Sequence, residues 1–88
     1  MEALARRAPG ERWTDAQGVH IDVRGLVPPA PLVQILSLVD ALPGATDVIV
    51  HHDRNPALLY AELAQRGWSV ETMSGDAGEV RLRLRGDG

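Results

Sequence analysis

The stretch of residues 19–31 changes its pattern abruptly, and this change constrains the fold more than any other feature of the chain. Apolar and polar residues alternate from Val19 to Arg24, as in a strand with one buried face. Gly25 ends the alternation, and three prolines follow, at Pro28, Pro29 and Pro31. Because proline is tolerated in the first turn of a helix but not in its interior, this stretch predicts a strand that turns sharply into a helix.

Two stretches show the spacing of an amphipathic helix, in which apolar residues recur three and four positions apart. The first ends at Pro43-Gly44, and its apolar face is Leu32, Ile35, Leu36, Val39 and Leu42. The second follows Asn55, a residue type favoured at N-caps, and runs to about residue 66. Its predicted inward face is Pro56, Leu59, Tyr60 and Leu63.

Further strands are predicted at residues 47–51, 68–73 and 79–85, which gives the order βαβαββ. Two consecutive strand–helix–strand crossovers favour parallel strands with both helices on one face of the sheet. The closing hairpin makes the sheet mixed, and its other face should be open to solvent. The predicted fold class is therefore α/β (α+β), a two-layer sandwich with a four-stranded sheet.

The chain of 88 residues predicts one domain, which we place at residues 19–86. Residues 1–18 show no sustained period and are predicted to be a flexible N-terminal arm that Trp13 pins to the domain. No apolar run approaches the roughly 20 residues of a membrane span, and the N-terminus lacks the apolar core of a secretory signal. We therefore expect a cytoplasmic protein with no membrane partner.

Composition excludes several classes of function. The chain has no cysteine, which excludes disulfides, thiolate zinc sites and cysteine nucleophiles. Its net charge is −3 and its acidic residues are scattered, so general nucleic-acid binding is not expected. No catalytic constellation can be assembled from the remaining residues, and the sequence does not predict an enzyme.

The turn between the first strand and the first helix carries a recognisable motif. Residues 22–31 read DVRGLVPPAP. This sequence resembles the D-x-R-G-L-x-C-P-x-P motif of the TusA-like sulfur carriers, with Pro28 at the position of the reactive cysteine. A thiolate carries sulfur because it is an ionisable nucleophile, and proline has no such group. Sulfur transfer through this position is therefore excluded.

A closer resemblance is to a cysteine-free bacterial branch of the same fold, a domain of unknown function. That branch has a D-x-R-x-L-x-P-P motif and an H-D turn before the second helix, here His52-Asp53. The resemblance implies a two-layer sandwich with strand order 1-2-4-3 and an antiparallel fourth strand. It implies no established activity.

The candidate binding residues are Asp22, Arg24, Pro28, His52 and Asp53. They lie near the carboxyl ends of two neighbouring parallel strands, where open α/β sheets collect ligands. Asp22 and Arg24 either clamp a ligand at the helix N-terminus or hold the turn itself. The predicted function is a non-catalytic adaptor that docks a partner protein, and the exposed Leu58 can extend the same surface.

A metal or haem protein is the alternative, because imidazoles and a carboxylate meet in the His51-His52-Asp53 turn. Adjacent strand residues point to opposite faces, so His51 and His52 should not share one metal ion. His52 with Asp53, or His51 with His20 across the sheet, are the pairings left open. Otherwise no cofactor is expected, although a small-molecule ligand is compatible with the site.

The last strand has the clearest alternation in the chain. Val80, Leu82 and Leu84 should face the core. Arg81, Arg83 and Arg85 should then form a row on the open face, with Asp47 and Glu71 as cross-strand partners. Such a row favours a solvated, self-paired face, and a surface that binds anions or RNA is the less favoured alternative.

Overall fold

A computed structural model describes residues 10–43 and 46–86, which form one five-stranded sheet and two helices. The strands are β1 (Arg12–Asp15), β2 (Gly18–Asp22), β3 (Val48–His52), β4 (Trp68–Met73) and β5 (Val80–Gly86). The helices are α1 (Ala30–Ala41) and α2 (Ala57–Gln65). Part of the predicted first-helix end, Gly44, lies outside the described residues, as do residues 1–9 of the predicted arm.

The strands are arranged in the order β1-β2-β3-β5-β4. Strands β2 and β3 are parallel, whereas β5 runs antiparallel to both of its neighbours, β3 and β4. The four predicted strands keep their relative order, but the predicted count was wrong, because β1 pairs with β2 and adds a fifth strand. The α+β class with a mixed sheet is confirmed.

Strand β1 lies within the segment that was predicted to be an arm. Residues Arg12 to Asp15 pair antiparallel with residues Gly18 to Ile21, so this part is a hairpin. The Asp15 carboxylate accepts a hydrogen bond from the Gln17 amide at 2.8 Å and stabilises the turn. Gly18 has φ +137°, and a Cβ atom there would lie 2.4 Å from the Asp47 carbonyl oxygen. The close approach of Asp47, the residue before β3, to the hairpin therefore requires glycine.

Both helices pack on the same face of the sheet. The core joins alternate residues of the strands to the inner faces of the helices, and its fully buried members include Ile21, Val23, Ile35, Val48, Val50, Leu59, Leu63, Leu82 and Leu84. Leu32, Leu36, Leu42 and Tyr60 pack against this core while partly exposed. The predicted helix faces thus supply the core, and Leu38 of α1 is an additional buried residue.

The opposite face of the sheet is not open to solvent as predicted. His20, Ile49 and His51 lie on this face and are 4 %, 0 % and 8 % exposed. The ring of Trp13 stacks on both imidazoles and covers them. The expectation failed because the covering side chain comes from β1, the strand that the sequence did not predict.

Candidate functional site

A groove of about 250 Å³ lies between the beginnings of the two helices. Pro28, Pro31 and Ile35 line the α1 side, and Pro56, Leu58 and Leu59 line the α2 side. His52 and Arg54 supply its polar groups. Because α1 and α2 follow the parallel strands β2 and β3, both helices begin at the same edge of the sheet, and the groove forms there.

Prolines shape this groove because each helix begins with one. Pro29 and Pro56 occupy the N-cap positions, and neither helix start has a side-chain capping bond. A proline ring fixes φ and has no N–H group to satisfy, so it gives a rigid apolar wall at a helix start. The sequence therefore places inflexible apolar surface where polar caps are usual.

The two sides of the groove are tied together by Asp53. Its Oδ2 accepts a hydrogen bond from the Gly25 amide at 3.1 Å, which joins the turn after β3 to the turn after β2. This amide stabilises the charged carboxylate and lowers the pKa of Asp53. Gly25 has φ +87°, a conformation that glycine adopts without strain.

The protonation state of His52 follows from its hydrogen bonds. Its Nδ1 accepts the Asp53 amide proton at 2.9 Å, so we assign the neutral tautomer with the proton on Nε2. The Asp53 Oδ1 atom lies 3.2 Å from the same nitrogen, whose lone pair the amide already occupies. Burial lowers the pKa of His52, although Asp53 opposes the shift, and this keeps the ring neutral. His52 thus offers the groove an N–H donor.

The mouth of the groove combines positive groups with the Asp53 carboxylate. Neither α1 nor α2 has an acidic residue in its first turn, so the partial positive charge of each helix N-terminus is not neutralised there. The Arg54 side chain lines the groove and is 57 % exposed, while its Nε lies 3.4 Å from Asp53 Oδ1. The two helix N-termini and Arg54 would attract an anionic group that enters this groove, and the Asp53 carboxylate beside Arg54 would oppose it.

The structure brings together only some of the predicted site residues. Pro28 and His52 both line the groove, and Asp53 holds its two sides together. Asp22 faces away from the groove, because Ile21 and Val23 on either side of it point into the core. Arg24 pairs with Asp22 in two hydrogen bonds, Nε to Oδ1 at 2.9 Å and Nη2 to Oδ2 at 2.7 Å.

The Asp22–Arg24 pair matches the structural alternative rather than the ligand clamp. Asp22 is 2 % exposed and also accepts the Arg24 amide at 3.0 Å, so it fixes the backbone of the turn. The hydrogen bonds from Arg24 to this carboxylate raise the pKa of the guanidinium. Both residues thus hold the strand-to-helix turn from the side of the sheet opposite the groove.

The histidines separate as the strand alternation predicts. His52 faces the helices, whereas His51 lies on the opposite face with His20, and the His20 Nδ1 and His51 Nε2 atoms are 2.9 Å apart. Within residues 10–43 and 46–86, no three histidine or acidic side chains are arranged to hold a metal ion. The metal or haem alternative stays a prediction.

The arginine row of β5 is paired with carboxylates. The predicted partners are present, with Arg85 Nε 3.3 Å from Asp47 Oδ2 and Arg83 Nη1 3.9 Å from Glu71 Oε1. Arg81 contacts Glu79 through two hydrogen bonds of 3.0 and 2.9 Å. These contacts are those of a self-paired face.

Sequence reasoning missed Asp15 and Glu79 as partners of the two histidines, and it predicted for Trp13 only that this residue holds the N-terminal segment to the domain. Asp15 belongs to β1, the strand that the sequence did not predict, and Glu79 is 28 positions from His51 in sequence. The prolines at both helix starts could have indicated the groove, because Pro28 and Pro56 both line it.

Neither α1 nor α2, the helices of the described segments, is long and apolar enough to cross a membrane.

Comparison with known proteins gives the chain its family. No curated protein matches the sequence. A protein-family model described as "uncharacterized conserved protein (DUF2249)" matches residues 20–85, which begin inside β2 and include both helices. The chain therefore belongs to the DUF2249 family of uncharacterized conserved proteins.

Proposed function

We propose that this chain is a non-catalytic docking domain that binds an apolar segment of a partner protein in the groove between α1 and α2. The observation that carries the proposal is an apolar groove lined by the neutral His52 ring, whose proton is on Nε2. Its volume of about 250 Å³ is below the roughly 300–1,000 Å³ of pockets for drug-sized ligands. Such a groove suits one or two anchoring side chains of a protein better than a whole small molecule.

The chemistry of the groove also specifies the partner. Leu58 on its wall is 77 % exposed, and Val27, next to Pro28, is 75 % exposed, so apolar surface continues beyond the groove. Contiguous exposed apolar surface of this kind marks interaction sites. Arg54 and the two helix N-termini favour an acidic group beside the apolar anchor, and the His52 N–H can donate to it. The partner segment is therefore apolar with an acidic flank.

The absence of catalysis is part of the proposal. A general base needs a free lone pair, and the Nδ1 lone pair of His52 is already occupied by the Asp53 amide. The TusA-like relationship belongs to the proposal as well. The DVRGLVPPAP motif and the βαβαββ order from β2 onward support it, with Pro28 of the groove at the position of the sulfur-carrying cysteine.

The test is selection of binders from a random peptide library displayed on phage, with the immobilised protein as bait. We expect the selected peptides to share an aliphatic or aromatic residue next to Asp or Glu. Leu58→Asp places a charge on the groove wall and should weaken a selected peptide by tenfold or more, about 1.4 kcal/mol. Val33→Asp is the matched control, because Val33 is 58 % exposed on α1 but does not line the groove.

Two results would contradict the proposal. One is a selection that yields no peptide with this pattern. The other is a peptide that binds the Leu58→Asp and Val33→Asp variants equally well, because its site would then lie elsewhere.

A further inference from the structure

Two buried histidines meet edge to edge on the face of the sheet opposite the groove. The His20 Nδ1 and His51 Nε2 atoms are 2.9 Å apart, which is hydrogen-bond distance. The ring planes differ by 21° and the centroids are 5.2 Å apart. Because the facing nitrogens are 2.9 Å apart, they must lie on the line between the centroids, close to both ring planes. Each residue is less than a tenth exposed, and water is therefore largely excluded from the contact.

The two outer nitrogens of the pair contact carboxylates. His20 Nε2 lies 2.8 Å from Asp15 Oδ1, and His51 Nδ1 lies 2.6 Å from Glu79 Oε2. The Gln17 amide and His20 lower the pKa of Asp15. Burial opposes ionisation of Glu79, but hydrogen bonds from Arg81 and the Asp76 amide lower its pKa to about 2. Both carboxylates are ionised at neutral pH and only accept, so each outer nitrogen must carry a proton.

The proton count of the pair then leads to a contradiction if both rings are neutral. A neutral imidazole carries one N–H, and the outer nitrogens already use that proton in each ring. The two inner nitrogens would then present lone pairs to each other at 2.9 Å, inside a site with little water. One additional proton between these nitrogens turns the repulsion into an N–H···N hydrogen bond.

We infer that His20 and His51 hold one proton in common, so that the pair carries a single positive charge beneath Trp13. The indole ring stacks on His20 with a centroid distance of 4.9 Å and on His51 at 5.2 Å, with interplanar angles of 14° and 30°. The face of an aromatic ring attracts a cation, and tryptophan does so most strongly. The covering residue thus favours the charged form of the pair.

The surrounding charges are consistent with one shared proton. The charged groups on this face are Glu11 and Asp15 from the β1 segment, Asp22 and Arg24 from the β2 segment, Asp47 from the β3 segment, Glu71 from β4, and Glu79, Arg81, Arg83 and Arg85 from the β5 segment. Asp22 is paired with Arg24 and Asp47 with Arg85, and Arg83 lies 3.9 Å from Glu71. Arg81 balances the charge of Glu79, and the shared proton balances that of Asp15.

The shared proton makes the attachment of β1 depend on pH in both directions. Loss of the proton at alkaline pH sets the lone pairs face to face and removes the cation beneath Trp13. Gain of a second proton at acid pH breaks the N–H···N bond. Burial lowers the pKa of His51 and opposes positive charge on this ring at either step, whereas the contact with Glu79 favours it. Strand β1, with Asp15 and Trp13, is therefore held most firmly near neutral pH. This device is independent of the docking proposal, because it lies on the other face of the sheet.

The test is long-range ¹H–¹⁵N NMR of the imidazole nitrogens in the uniformly ¹⁵N-labelled full chain. The chain has three histidines, so His20→Gln and His51→Gln variants suffice to assign the spectrum. At about pH 7 the outer nitrogens should resonate as N–H nitrogens and the two inner ones at intermediate positions, which is the signature of a shared proton. His52 is the internal control and should show the neutral form with the proton on Nε2.

The inference is overturned if only two protons are found on the four nitrogens of the pair at about pH 7.

A second measurement is the fluorescence of Trp13 under native conditions, taken as the emission of the native protein minus that of its Trp13→Phe variant. Because an imidazolium quenches a stacked indole, this emission should rise as the shared proton is lost above neutral pH. The rise should be absent from the His51→Gln variant. Trp13 emission in the native protein that stays flat from about pH 7 to about pH 10 would also overturn the inference.

Discussion

The Asp53 carboxylate accepts a hydrogen bond from the Gly25 amide at 3.1 Å, across 28 positions of sequence. This bond connects the turn that precedes α1 to the turn that precedes α2. Because the groove is the space between these two helix starts, the bond sets the distance between its walls. The Asp53 amide also fixes the His52 tautomer, so one residue orients both the walls and the donor.

Removal of the Asp53 carboxylate should therefore loosen the groove. In Asp53→Ala the Gly25 amide loses its partner, and we expect the free energy of unfolding to fall by about 1–2 kcal/mol in urea denaturation. Peptides selected on the native protein should bind more weakly to the variant. Asp40→Ala is the matched control, because Asp40 pairs with Arg66 at 2.9 Å on an exposed surface, where such pairs contribute roughly 0–1 kcal/mol. Equal losses of peptide binding in the two variants would show that Asp53 does not support the groove.

Gly18 is expected to be intolerant of a side chain. In Gly18→Ala the new Cβ atom would lie 2.4 Å from the Asp47 carbonyl oxygen, and φ is +137°. We expect a loss of about 2–4 kcal/mol in the free energy of unfolding, because the backbone strain adds to a steric clash that the adjacent strand cannot relieve. Gly78→Ala is the control, because Gly78 has φ +79° but open space around its Cβ position. If both alanine variants lose the same stability, the close approach of Asp47 to the hairpin is not the cause.

Much of the fold could be predicted from the sequence, and there is a physical reason why the rest could not. Strands β2 and β5 alternate because one face is buried under the helices, so their period of two is visible, whereas β3 is recognised as a short apolar run that is buried on both faces. Strand β1 pairs with only one neighbour, and Trp13 is its one residue that is not exposed. A strand at a sheet edge with a single covered residue leaves no period to detect.

Only part of the candidate site could be predicted from the sequence, for a similar reason. Topology brings the ends of β2 and β3 to one edge, which places Pro28 and His52 together as expected. Topology alone does not say on which face a side chain lies, and the alternation along β2 sends Asp22 to the opposite face. The strand register was enough to predict that His20 and His51 lie close together. It was not enough to predict their burial, because this depends on Trp13.

Stability should fall in mild acid because of His52. Its folded-state pKa is below the ordinary value of 6.5, so the unfolded chain binds more protons in the interval between the two values. This contribution is fully present above about pH 6.5 and is lost as the pH falls through the interval. His52→Gln keeps an acceptor near the Asp53 amide but cannot titrate. The drop in urea midpoint from about pH 7 to about pH 5 should therefore be smaller in the variant than in the native protein. An identical drop would mean that His52 is equally protonated in both states.

Glu79 should be the most costly carboxylate to neutralise. Its side chain is 1 % exposed and contacts both His51 and Arg81, so Glu79→Gln leaves charged and polar partners without an anion. We expect a loss of about 1–3 kcal/mol in urea denaturation at about pH 7. Glu71→Gln is the control, because Glu71 is 63 % exposed and 3.9 Å from Arg83, and its loss should be near zero.

The pH dependence of the same variant tests the cause. The pKa of Glu79 is lowered from 4.5 to about 2, so its contribution is fully present above about pH 4.5 and is lost as the pH falls toward 2. The gap in stability between the native protein and Glu79→Gln should therefore narrow between about pH 4.5 and about pH 3. A gap of constant size over this range would show that the glutamine variant is destabilised by its shape, and that the charge of Glu79 does not stabilise the fold.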